Sequence, residues 1–69
     1  MELLKIFSVV ILTKDVENMK SGSIGTIVEV YNKPAGYTVE FIDKSGYTIA
    51  LLDLSPNDVR LALENEITK

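Results

Sequence analysis

The sequence predicts one small all-β domain of five short strands. The chain has 69 residues, which is the length of a single domain and leaves no room for a second. Runs of β-branched, aromatic and aliphatic residues recur along it, and Gly, Pro, Asn, Asp or Ser separate one run from the next. Hydrophobic residues make up 46% of the chain, which is enough for a packed core and too much for a disordered segment.

Each predicted strand is an apolar run between turn residues. The five strands are residues 7–13, 23–31, 37–42, 47–54 and 59–63. A polar loop, residues 14–22, follows the first strand, and we expect its apolar residues Val16 and Met19 to pack back onto the domain. Turns are predicted at residues 32–36 and 43–46, where proline or glycine supplies the required dihedral angles, and residues 55–58 predict a tight turn of 3₁₀ type.

Alternation along the strands predicts which side chains face the core. The first strand shows no alternation, which is typical of a strand covered on both faces. Gly25, inside the second strand, predicts a bend or a bulge. The expected core face of the second to fourth strands is the set without charge: Ile24, Thr26, Val28 and Val30; Tyr37, Val39 and Phe41; and Thr48, Ala50, Leu52 and Leu54.

The C-terminal segment allows two interpretations. Residues 57–67 are compatible with a short capped helix, but a last strand over residues 59–63 would supply the edge that this core needs. We favour the strand and expect a polar, frayed tail over residues 64–69.

These elements predict an SH3-like small barrel. Five short strands, a long first loop and a tight turn before the last strand match that fold in order and spacing. The domain would occupy residues 1–69, with its core between residues 7 and 63. A five-stranded OB-type barrel is the main alternative, but it normally has a helix between its third and fourth strands, where this chain has only a short turn.

The composition excludes the usual catalytic and metal chemistry. The chain contains no cysteine and no histidine, so disulfides, common zinc sites and nucleophile–histidine pairs are absent. Glu29 and Glu40 lie on neighbouring predicted strands, but as outward-facing residues they would be ordinary solvated carboxylates. Asp15, Glu17 and Asn18 lack the spacing of a calcium loop. We therefore expect a protein that is not an enzyme and binds no cofactor or metal.

The chain resembles a family of short uncharacterised bacterial proteins, common in cyanobacteria, and more generally KOW-like and other SH3-like domains. The resemblance covers roughly residues 8–63 and implies the small-barrel fold, but it supplies no catalytic residue. The matching positions are Gly22, Gly25, Thr26, Ile27, Val28, Glu29, Tyr37, Val39, Glu40, Phe41, Asp43, Gly46 and residues 48–54.

Binding of nucleic acid is the alternative function that the KOW-like resemblance implies. Lys14, Lys20 and Lys44 lie in loops at one end of the predicted barrel, but neighbouring acidic residues offset them. The formal net charge of −3 also argues against recognition of a phosphate backbone. The lack of tryptophan argues against recognition of a proline-rich ligand in an SH3-type groove.

A protein partner is therefore the function we predict. Several apolar residues, among them Ile49 and Leu51, lie opposite the assigned core and would be partly exposed on a small barrel. We expect a small interaction module that is either a subunit of an assembly or a neutralising partner of the antitoxin or immunity type. A second copy of the chain is an alternative partner. The candidate surface comprises Ile27, Glu29, Tyr31, Glu40, Ile42 and Tyr47.

The expected location is the cytoplasm. Residues 1–12 are rich in apolar side chains, but Glu2 and Lys5 interrupt them, and the run is shorter than the roughly 20 residues of a membrane span. We expect this segment to be a lead-in together with most of the first strand of a soluble protein, with no membrane contact.

Overall fold

The computed structural model describes residues 3–67, which form five strands, one 3₁₀ turn and one short helix. The elements are β1 (Val9–Leu12), β2 (Ile24–Asn32), β3 (Ala35–Ile42), β4 (Thr48–Leu54), the 3₁₀ turn Pro56–Asp58, β5 (Val59–Leu61) and α1 (Glu64–Ile67). The strands form one antiparallel sheet in the order β4-β3-β2-β1-β5. The prediction of an all-β fold with five strands is confirmed. The sheet is open, with β4 and β5 at its two edges.

One hydrophobic cluster on a single face of the sheet forms the core. Side chains from both edge strands, Leu52 and Leu54 from β4 and Val59 from β5, belong to the same cluster, so the sheet must curve around it. Tyr37, Val39 and Phe41 of β3 lie in it as their alternation predicts. The cluster comprises Val10, Leu12, Ile27, Tyr37, Val39, Phe41, Leu52, Leu54 and Val59. In β1, Ile11 is buried together with Val10 and Leu12, which agrees with the lack of alternation there.

The face predicted for β2 is wrong for its first half. Ile24 is exposed, whereas Ile27 is completely buried. The register of β2 against β3 shifts between Ile27 and Glu29, so an irregularity at Val28 exchanges the two faces of the strand at that point. Beyond it, Val30 packs against the core as predicted.

Glycine occupies position 25 because side chains of β3 pack closely against the β2 backbone there, and not because the strand has a bulge at this point. A Cβ atom at this position would lie 2.6 Å from Val39 Cγ1 and 2.9 Å from Phe41 Cε1. Gly25 pairs with Phe41 in the register of β2 and β3, and the aromatic ring lies over the space where a side chain would be. Glycine is therefore required because two core residues of β3 pack against the β2 backbone.

The predicted turns are confirmed, and hydrogen bonds show why they form. The β2–β3 turn pairs Asn32 with Ala35 and contains a cis Lys33–Pro34 peptide. In the β3–β4 turn, the carboxylate of Asp43 accepts hydrogen bonds from the backbone N–H groups of Ser45 and Tyr47, and Gly46 has a φ of +89°. Val16 and Met19 of the first loop pair with each other and pack against the core.

Asp58 ends the 3₁₀ turn and anchors it to the rest of the domain. Its carboxylate accepts a hydrogen bond from the N–H of Ser55 at 3.0 Å and lies 2.9 Å from Lys14 Nζ. Burial of the carboxyl group would raise its pKa, but the hydrogen bonds from Lys14 and Ser55 outweigh this and hold the pKa of Asp58 below its usual value. A buried carboxylate thus fixes the entry to β5.

The C-terminal segment combines the two interpretations. Residues 59–61 form a strand, as favoured, and Glu64–Ile67 then form a single helical turn rather than a frayed tail. Arg60 of β5 makes two hydrogen bonds to the Glu66 carboxylate, at 2.9 and 2.7 Å, which hold the turn against the strand. The rest of the predicted tail, residues 68 and 69, lies outside the described residues. Within residues 3–67, the helices are too short to cross a membrane.

Candidate interaction surface

The side of β2, β3 and β4 that points away from the core carries an uncovered mixture of apolar and acidic residues. Hydrogen bonds between side chains of neighbouring strands define this outer face. Thr48 Oγ1 donates to Glu40 Oε2 at 2.6 Å, and Thr38 Oγ1 donates to Asp53 Oδ1 at 2.6 Å. The outer face comprises Ile24, Thr26, Glu29, Tyr31, Thr38, Glu40, Ile42, Thr48, Ile49, Leu51 and Asp53.

Four aliphatic side chains of the outer face are exposed. Their exposed fractions range from 43% for Ile24 to 60% for Leu51. Leu51 lies opposite Glu40 in the β3–β4 register, and Ile42 lies opposite Thr48, so both strands contribute to the same apolar area. The four residues are Ile24, Ile42, Ile49 and Leu51. Single exposed aliphatic residues are common on protein surfaces, but four on three adjacent strands suggest a binding area.

The charges of this face all have one sign. Strands β2, β3 and β4 contain three charged residues, Glu29, Glu40 and Asp53, and no lysine or arginine. The hydrogen bonds from Thr48 and Thr38 orient two of these carboxylates. The aliphatic side chains gather toward the end of the face where Ile42 pairs with Thr48, and Glu40 lies on the middle strand between Thr26 and Leu51. This mixture favours a partner with aliphatic and basic side chains.

A shallow cleft adjoins the outer face beside the β2–β3 turn. Its volume is about 440 Å³, and its lining includes Tyr31, Pro34, Tyr37, Asp53 and Leu54. The Tyr31 hydroxyl is hydrogen-bonded to Thr38 Oγ1 at 2.7 Å, which connects it to the Asp53 carboxylate. The tyrosine ring is thereby held at one end of the acidic face.

Five of the six residues proposed from the sequence are accessible, and one is not. Glu29, Tyr31 and Ile42 are exposed on the outer face, and Glu40 is partly buried there. Tyr47 is 73% exposed in the β3–β4 turn, directly before β4. Ile27 was proposed as a surface residue, and this is wrong, because its side chain is 0% exposed in the core.

Sequence reasoning missed four members of the outer face. Ile24 and Thr26 were assigned to the core because the irregularity at Val28 was not foreseen. Thr48 was assigned to the core because the register shift between Phe41 and Ile42 was not foreseen, and this was wrong, since Thr48 is exposed. Asp53 was not considered, although its position two residues after Leu51 places both on one face of a strand. That spacing, together with Thr38 opposite it, was the signal that could have found Asp53.

The two edges of the sheet differ in how open they are. In the described part of the chain no strand pairs with the outer edge of β4, which runs for seven residues and contains no proline or lysine. The other edge strand, β5, has three residues and is followed by α1, with the Arg60–Glu66 ion pair across them. β4 is thus the longer and less protected edge.

The structure does not place the remaining chemical candidates directly opposite one another. Glu29 and Glu40 are not opposite each other, since Glu29 pairs with Thr38 and Glu40 with Thr26. Asp15 accepts a hydrogen bond from the Ser21 N–H and lies 3.8 Å from Lys20 Nζ. Among residues 3–67, no three acidic side chains lie close enough together to bind a metal ion.

A known family matches the chain over most of its length. The model of a domain of unknown function, DUF4926, matches residues 6–61. The chain belongs to this family. The match to DUF4926 confirms the resemblance to a small uncharacterised family that residues 8–63 suggested. No curated protein and no solved structure matches the chain significantly.

Proposed function

We propose that this DUF4926 protein is a small, non-catalytic protein-interaction module. It acts in the bacterial cytoplasm either as a subunit of an assembly or as a neutralising partner of the antitoxin or immunity type, and it binds through the outer face of β2, β3 and β4. The observation that carries the proposal is the group of four exposed aliphatic side chains on a face where every charge is acidic. Burial of such a group against a partner would be favourable by roughly 25 cal/mol per Å² of apolar surface.

The architecture supports assignment to the SH3-like barrels. The order β4-β3-β2-β1-β5 brings the last strand next to the first, and a 3₁₀ turn leads directly into that last strand. Curvature of the sheet around one core cluster agrees with a partly open barrel. We propose this fold as the scaffold that presents the outer face.

The distribution of cations supports a protein partner over the KOW-like alternative. Lys14 pairs with Asp58, and Lys20 lies 3.8 Å from Asp15. Arg60 pairs with Glu66. A phosphate backbone would have to compete with these carboxylates, and the tyrosine on the outer face is accompanied by acids rather than by a basic track.

Affinity capture tests the proposal directly. The tagged chain, a Leu51→Arg variant and a Leu63→Arg variant would be incubated with a lysate of the source organism, with and without nuclease. Leu63 is exposed but lies beyond β5, so it is a matched control. We expect one stoichiometric protein partner that survives nuclease, is retained by Leu63→Arg and is lost with Leu51→Arg. Recovery that disappears with nuclease, or that Leu51→Arg leaves unchanged, would contradict the proposal.

A further inference from the structure

We infer that the partner binds by adding an extended, basic segment as a sixth strand along the edge of β4. The inference rests on the proposed function and specifies its partner and geometry. Two observations carry it: the backbone edge of β4, which no strand within residues 3–67 pairs with, and the pattern of side chains that this edge presents beside the acidic outer face.

The backbone of β4 is suited to strand addition. From Ala50 to Leu54 the pairing with β3 is regular, and the register irregularity lies before Ala50. In an edge strand, alternate N–H and C=O groups point away from the sheet, and an added strand supplies their partners. Five regular residues are enough for a short extended peptide to form such bonds.

The side chains of β4 define what the added strand should contain. Leu51 and Asp53 are exposed on the outer face, whereas Leu52 and Leu54 point into the core. An added strand would therefore place an aliphatic side chain beside Leu51 and, two residues away on the same face, a lysine or arginine beside Asp53. Glu40 pairs with Leu51 from β3, one strand further from the added segment, and adds to the negative potential of this face. The intervening residues would be apolar, because they lie over the rim of the core.

A second copy of the chain fits this edge less well than a basic segment. Its own β4 carries no cation, so pairing of two copies would leave Asp53 and Glu40 without opposite charges. The same holds for the other two long strands. Charge complementarity thus favours a foreign segment in which aliphatic and basic residues alternate on one face.

The test uses the isotope-labelled full chain and a synthetic peptide with the sequence Lys-Val-Ile-Val-Lys-Val-Ile-Val-Lys. This sequence reads identically in both directions, so it presents the required pattern to β4 in parallel or antiparallel orientation. One control peptide has glutamate in place of each lysine. A second has proline at two neighbouring central positions, which blocks strand pairing on both sides of the peptide.

We expect the basic peptide to slow hydrogen exchange at alternate amides within residues 50–54. The glutamate and proline peptides should bind at least about tenfold more weakly, and raising the salt from about 50 to about 500 mM should weaken the basic peptide. An Asp53→Lys variant should lose affinity for the basic peptide and gain it for the glutamate peptide. Glu17→Lys, in an exposed position of the first loop, makes the same change of charge; it is the matched control and should change neither.

Equal binding of the glutamate peptide, or binding without protection of residues 50–54, would overturn the inference. Protection of the edge-facing amides of residues 50–54 in the free protein, together with a dimeric mass by light scattering, would also overturn the inference and assign the edge to a second copy. If Leu51→Arg abolishes capture of the partner but the basic peptide does not bind to β4, the outer face remains the binding surface and only strand addition is refuted.

Discussion

Truncation of Ile27 measures whether this residue belongs to the core or to the surface. The structure buries Ile27 completely, whereas alternation in the sequence placed it on the outer face. Replacement by alanine removes three carbon atoms, and at about 0.8 kcal/mol for each, the transfer contribution is about 2.4 kcal/mol. The cavity left in the core adds to this, so we expect a total loss of about 3–4 kcal/mol.

The loss expected for Ile27→Ala is a large part of the free energy of unfolding, which is only about 3–10 kcal/mol for a domain of this size. Ile27→Ala could therefore unfold the chain, and Ile27→Val, with an expected cost of about 0.5–1.5 kcal/mol, provides a folded intermediate. Leu51→Ala is the matched control, because Leu51 is 60% exposed, and its cost should stay within about 0.5 kcal/mol.

Urea unfolding followed by circular dichroism is the assay. With a slope of about 1 kcal/mol per molar urea, Ile27→Val should lower the midpoint by about 1 M, and Leu51→Ala should leave it almost unchanged. If Ile27→Val and Ile27→Ala cost no more than Leu51→Ala, the burial of Ile27 and the reversal of faces in β2 are refuted.

Three further predictions follow from the packing and the hydrogen bonds. Gly25→Ala should destabilise the fold by about 1–3 kcal/mol in the same urea assay, because the new methyl group would overlap Val39 and Phe41; a neutral effect would contradict that packing. Because the pKa of Asp58 is lowered in the folded state, its contribution to stability is present above about pH 4, the value of an unfolded aspartate, and is lost as the pH falls through the folded pKa. Thermal unfolding across pH 2–7 should therefore show that Asp58→Asn destabilises the protein at neutral pH and converges with the wild type in acid; a constant difference would refute the role of this carboxylate. Thr38→Val should cost about 1 kcal/mol, since it removes the hydroxyl between Tyr31 and Asp53, and no loss would show that this network does not stabilise the sheet.

The number and placement of the strands followed from the sequence because the signals for them are local. In the β3–β4 turn, the Asp43 carboxylate accepts a hydrogen bond from the backbone N–H of Ser45, and Gly46 adopts a positive φ. Aspartate and glycine are the residue types that typically take these two roles, so the turn could be predicted from the sequence. The core face of β3 was also predictable, because Tyr37, Val39 and Phe41 alternate without interruption.

The faces of β2 could not be predicted, because they depend on a register shift against β3. A single irregularity at Val28 exchanges inward and outward positions, and the alternation of side chains contains no sign of it. Gly25 is visible in the sequence, but its cause, contact with Val39 and Phe41, is a tertiary one. The residues of the candidate surface on β3 and at the end of β2 are consequently accessible, as expected, whereas Ile27 was included in error because it is buried.

The position of β4 at an edge of the sheet was likewise beyond the sequence, although the last strand was expected to supply an edge. Strand order decides that β4, and not β2 or β3, has an unpaired side, and this order depends on contacts between distant parts of the chain. In this strand order, Leu51 and Asp53 lie two residues apart on an edge strand, where an added strand would contact both side chains.

Photo-crosslinking in cells tests the central claim, that the outer face of β2, β3 and β4 binds a protein, most directly. A photoreactive amino acid would be introduced in place of Leu51 and, as a control, in place of Leu63, which is exposed to a similar extent. We expect one adduct of defined mass from position 51 after nuclease treatment, and none of that mass from position 63. Adducts from position 63 alone, or none from position 51, would contradict the central claim.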